Sequence, residues 1–177
     1  MGKAQRPCAG LDRFALIGAG TSGALSNYPE MATSIDKISL HAPDGYNVVV
    51  ETPRGSRTKF SYDLETGLFR AKKLLAMGFA FPFPFPMGSL VRCRVLGGFA
   101  LEDLQEGAVR RNDRLLAVPL LLHQDRPPYN LSDMPPEQLK DLEDFFVAYP
   151  AADGKQARVV GRLDKAEAEN VIAKASL

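Results

Sequence analysis

The chain has 177 residues, enough for one compact domain with a sizeable core. Its 22 basic and 21 acidic residues nearly cancel, which excludes a bulk field for gathering nucleic acid or docking on an acidic membrane; any anion site must be a local cluster. Two cysteines, Cys8 and Cys93, make no disulfide framework and favour a reducing cytoplasm, and no apolar run reaches membrane-spanning length.

Residues 1–35 read as an extension, rich in Gly and Pro, with one short strand at RFALIG. Within it, Gly18, Gly20 and Gly23 satisfy the G-x-G-x-x-G dinucleotide fingerprint, but Pro29 interrupts the helix that should follow, so a turn-rich leader is the better reading. From Asp36 to Leu177 the pattern is that of one domain. It opens on short apolar runs divided by turn signals: DKISLHA, NVVVET, TKFSYD and GLFRAKKLL. Then comes FAFPFPFPMGSLV, residues 79–91, in a long stretch from Thr66 to Leu101 that contains no carboxylate.

Beyond it, SLVRCRVLGGFAL and DRLLAVPLLL are Val- and Leu-rich strands separated by an irregular insertion, LQEGAVRR. PPEQLKDLEDFFVAY is the first clear helix, with Leu139, Leu142, Phe145, Phe146 and Tyr149 at helical spacing behind two prolines. QARVVGRL is a further strand, and Asp164 with Glu167 three residues later forms a capping box that opens a closing helix. Strands first and helices last give an α+β or small-barrel domain.

NVVVETPRGSRTKFSYDLETGLF resembles the opening of the family I soluble inorganic pyrophosphatases, with their E-x-P, K-Y/F-x-Y-D and G-L-F elements. In order, PMGSLVRCRVLGG is similar to that family's P-G-x-x-V-R-x-R-x-x-G, NDRLLAVP to its D-x-K-L/I-x-A-V-P, and LEDFFVAYPAADGKQARVVG to its helix H-F-F-x-x-Y-K-x-L-x-G-K. The likeness runs over about residues 46 to 175 and implies a small five-stranded OB-like β-barrel with flanking helices. It also implies a cytoplasmic magnesium-dependent hydrolase of pyrophosphate, often a homo-oligomer. Such a site works because metal ions and basic side chains absorb the repulsion between hydroxide and a multiply charged anion.

Carried over by position, the resemblance implies phosphate contacts for Lys59, Lys73, Arg114 and Tyr149 and metal-ligand positions for Glu51, Asp103 and Asp113, with Glu102 beside them. The departures are as informative. The signature D-G-D-P-x-D and the apolar strand after it, about two dozen residues in the family, have no counterpart, because FAFPF meets PFPMGSLV directly. Asn112 stands at the family's D-x-K aspartate, Ser61 where a glutamate often follows K-Y/F, and Pro150 at the lysine after the substrate tyrosine.

What remains is the cationic half of such a site without its anionic half. Magnesium is held with one or two carboxylates and prefers them to amides. The expectation is therefore a pyrophosphatase-fold protein with lost or weak hydrolysis, keeping a phosphate or pyrophosphate pocket or a scaffold role in a homo-oligomer; the alternative is a working diphosphatase with a rearranged metal site. The missing barrel segment leaves unpaired strand edges, for which RFALIG, DKISLHA or another subunit is the expected cover. Blander readings accompany each residue: Tyr149 as helix packing, RGSR and RAKK as a solvated face, Cys93 as a buried strand residue, and His41 and His123 without chemistry.

Overall fold

A computed structural model describes residues 15–17, 35–82, 85–105, 107–120, 128–151 and 154–175. Among these described residues, nine strands and two α-helices follow one another as β1 (Ala15–Ile17), β2 (His41–Ala42), β3 (Gly45–Val49), β4 (Thr58–Asp63), β5 (Leu68–Leu74), β6 (Leu90–Gln105), β7 (Ala108–Arg111), β8 (Arg114–Pro119), α1 (Pro136–Ala151), β9 (Gln156–Leu163) and α2 (Lys165–Ala175). The fold is α+β, a curled half-barrel of sheet flanked by the two helices.

The sixteen-residue β6 is its spine: β8 and β3 flank its first half, β7 and β9 its second, giving a path β1-β8-β6-β3-β2 with β7 and β9 attached to β6. A strand this long cannot stay flat against two helices. One bulge leaves Leu96 without a partner on β8, and an irregularity against β9 falls between Ala100 and Leu101, and such extra residues bend and twist a strand. Gly97, at φ 144°, is needed there, because a Cβ on it would collide with the carbonyl oxygen of Leu163.

Alternation along β6 and β8 then feeds two cores. Leu96, Phe99 and Leu101, with Leu116 and Val118, pack under α1 through Leu139, Leu142, Phe146 and Tyr149. Cys93, Val95 and Ala100, with Leu115 and Ala117, face α2 through Ala168 and Ile172. The capping box opens α2 as the sequence predicts: Asp164 accepts from the Glu167 N–H and Glu167 accepts from the Asp164 N–H, both at 2.8 Å.

The strand expected at RFALIG is present and runs antiparallel along β8, with Ala15 opposite Ala117 and Ile17 opposite Leu115, so the β8 edge is covered. DKISLHA differs: a 3-10 turn at Ile35–Lys37 leaves only His41–Ala42 to pair, and it pairs with β3. LQEGAVRR is not irregular either. Its ends pair as a β6–β7 hairpin, Gln105 opposite Ala108 and Glu102 opposite Arg111, because Gly107 supplies the positive φ a tight turn requires. The Gly18–Gly23 fingerprint and His123 lie outside the described residues.

Candidate functional site

The hairpin β4–β5 is a separate two-stranded sheet, and the segments around it tie it to the barrel. Glu51 Oε1 accepts the Tyr62 N–H at 2.9 Å and Thr52 Oγ1 the Phe60 N–H at 3.1 Å, so the residues that end the NVVVET strand grip one edge of β4. Phe81 bonds through its backbone to Gly55 at 2.9 Å and Ser56 at 3.1 Å, while its ring packs against Phe145 and Tyr149 of α1. The described phenylalanines of the Phe-Pro stretch thus serve packing. Phe79 and Phe81 enter the core under α1, and Phe85, at φ 83°, rests on the core under α2.

Lys59 and Lys73 stand directly opposite one another across the hairpin. Two like charges in that register oppose strand pairing unless an anion or a π-face offsets them. Part of the offset is visible: the Lys73 ammonium lies 4.8 Å from the centre of the buried Tyr149 ring, which is itself stacked on Phe145. Lys73 thus stands between Lys59, its cross-strand partner, and the Tyr149 ring. Arg70, farther along β5, is neutralised by Asp63, whose carboxyl is held below its usual range first by the Thr66 N–H and then by the Arg70 guanidinium and the Glu65 N–H.

Arg114 belongs to a second group of side chains. Its guanidinium turns back onto the Asn112 side-chain oxygen and onto the carbonyls of Asn112 and Asp113, the latter two at 3.2 Å. Asn112 in turn donates its amide to Asp103. Asp113 Oδ1 accepts from Arg111 Nε and from the Leu101 N–H. Glu102 takes both Nε and a terminal nitrogen of Arg158, at 2.9 and 2.7 Å.

These contacts decide how well magnesium would fit. A magnesium ion needs a near-octahedral oxygen shell anchored by carboxylates that are free to turn toward it. Glu51 is spent on the backbone of β4, and Glu102, Asp103 and Asp113 are matched by Arg158, by Asn112 with Arg114 behind it, and by Arg111. Among the described residues no three Asp, Glu, His or Cys side chains converge as a metal-binding group. The described residues do not fit a magnesium cluster.

Sequence reasoning missed Lys72, Arg111 and Arg158. The pair KK and the RR of LQEGAVRR were visible, but strand alternation alone does not tell which charge meets which. Cys93 is fully buried as expected, and burial pushes its thiol up to about 12.

A curled α+β half-barrel, with a lysine-bearing hairpin set against its main helix, defines the class of protein. The family model described as inorganic pyrophosphatase matches residues 79–176. An inorganic pyrophosphatase of Corynebacterium efficiens is 32% identical over 155 residues, covering 71% of this chain and 92% of that protein. A soluble inorganic pyrophosphatase of Oryza sativa subsp. indica is 27% identical over 164 residues, covering 77% and 73%. The fold is shared with the crystal structure of inorganic pyrophosphatase from Thermus thermophilus, at a TM-score of 0.69 and 22% identity over 82% of this chain and all of that one. The chain belongs to the inorganic pyrophosphatase family.

Proposed function

We propose that this protein is an anion-binding member of the family with lost or weak hydrolysis, holding phosphate or pyrophosphate at Lys59, Lys73 and Tyr149. The observation that carries the reading is the pairing of the two halves of the site. Lys73 lies on Tyr149 of α1 with Lys59 opposite it across the hairpin, whereas each carboxylate that stands at or near a metal-ligand position is already engaged by a guanidinium, an amide or a backbone N–H. Ammonium groups attract a phosphate without a metal, but they do not turn water into a nucleophile at neutral pH. Arg114, held on Asn112, contributes after that contact opens. Asp103, Asp113 and Glu51 act structurally. Self-association with further copies, in a reducing cytoplasm, belongs to the same reading.

Family membership favours a second reading, a magnesium-dependent diphosphatase in which Glu51, Glu102, Asp103 and Asp113 are rearranged on loading. Phosphate release from pyrophosphate in excess magnesium separates the two. The first reading expects background release, together with metal-independent calorimetric binding that weakens about tenfold, or ~1.4 kcal/mol, in Lys59→Ala and in Lys73→Ala. Brisk turnover that collapses in Glu51→Gln or Asp113→Asn establishes the second.

A further inference from the structure

The lysine side of the hairpin carries more than two cations. Opposite Lys59 stands Lys73, and opposite Phe60 stands Ala71, so Lys72 is an extra residue with no partner on β4. Side chains alternate along a strand, and directly opposed residues share a face. Phe60 and Ala71 therefore share one face with Tyr62 and Phe69, whose rings meet edge to face at 5.4 Å. Lys59 and Lys73 share the other. Counting from Arg70, which is opposite Ser61 on that second face, alternation returns Lys72 to it as well. Without the bulge Lys73 would fall on the aromatic face with Phe60.

We propose that this bulge is a specificity device: it gathers Lys59, Lys72 and Lys73 on one face, so the preferred ligand is a phosphoanhydride chain of three or more units. The inference rests on the anion-binding reading above and names its ligand class. A single phosphate spans one or two ammonium groups. A longer chain presents anionic oxygens along its length and reaches the exposed Lys72 while still held by the half-buried Lys73 beside Tyr149. The aromatic side of the hairpin offers the ligand nothing comparable, and a bulge is a recognised means of re-aiming a strand residue at a site. The shared chemistry is a triphosphate, whether free polyphosphate or the tail of a nucleoside triphosphate.

The test is calorimetric titration of the full chain, without divalent metal, against orthophosphate, pyrophosphate, tripolyphosphate and ATP. Tripolyphosphate is expected to bind about tenfold more tightly than pyrophosphate, ~1.4 kcal/mol. Lys72→Ala removes that margin and leaves pyrophosphate binding in place; Lys72→Gln, which keeps the long side chain, does the same. ATP equal to tripolyphosphate assigns the site to a nucleotide tail, and weaker ATP binding assigns it to free polyphosphate. Equal affinity for pyrophosphate and tripolyphosphate overturns the inference while leaving the anion-binding reading intact. So does a margin that survives Lys72→Ala, or one that falls equally in Lys140→Ala, an exposed α1 lysine paired with Asp144. No heat with any of the four ligands removes both.

Discussion

Replacing Asn112 by aspartate tests the charge arrangement that separates this chain from a metal-loaded site. In the native protein the Asn112 amide donates to Asp103 while its oxygen accepts from Arg114, so one neutral side chain bridges an anion and a cation. Asn112→Asp keeps the Arg114 contact but sets two carboxylates against each other at hydrogen-bond range. At about 3 Å, with an effective dielectric between roughly 20 and 80, that repulsion amounts to about 1.4–5.5 kcal/mol. Arg114 and the half-exposed setting put the expected loss toward the lower part of the range. A loss of ~2 kcal/mol lowers the midpoint of thermal unfolding by roughly 4–8 °C in a chain of this size.

The informative arm is the metal response. Two facing carboxylates are the nucleus of a divalent-cation site, so magnesium at millimolar concentration should restore part of the loss in Asn112→Asp by binding the folded state. The native protein should show no such gain, since Arg111, Arg158 and Asn112 already hold its carboxylates. The assay is thermal unfolding of both proteins with magnesium or with chelator. An unchanged midpoint for Asn112→Asp, or a native protein that magnesium stabilises by as many degrees as the variant, would refute the account of internally matched charges.

Other perturbations read the fold around the site. Gly97→Ala should destabilise by about 3 kcal/mol or more, since it combines a positive φ with a methyl driven into the Leu163 carbonyl; chemical denaturation measures it, and near-native stability would show that the β6 bend is not needed. Asp133 is held low by the N–H groups of Asn130 and Tyr129, and Asp63 by the Thr66 N–H and Arg70. Their contribution is complete above the ordinary aspartate value of about 3.9 and is lost as pH falls through their lower folded values. Asp133→Asn should therefore flatten the acid limb of the stability profile and leave the slope above pH ~5 unchanged. Cys93, buried with its thiol pushed up to about 12, should resist alkylation in the folded protein at pH 8 and react on unfolding; in a Cys8→Ser background the labelling rate should track unfolding.

Much of this protein was legible in the sequence by itself. Helical spacing and the prolines placed α1, Asp164 and Glu167 placed the start of α2, and Val- and Leu-rich runs placed β6 and β8, because these patterns are local and each residue's preference agrees with its neighbours'. The motif order fixed the family likeness, and the run without carboxylates between Thr66 and Leu101 raised the expectation of a site with little anionic charge. Only the tertiary structure decided the rest. Whether LQEGAVRR was loop or hairpin turned on Gly107, and the partners of Glu102, Asp103 and Asp113 are set by cross-strand register. One extra residue in β5 put Lys72 and Lys73 on a common face. The physical reason is the two-residue period of a strand: composition does not record its phase, and a single bulge reverses which side every later charge meets.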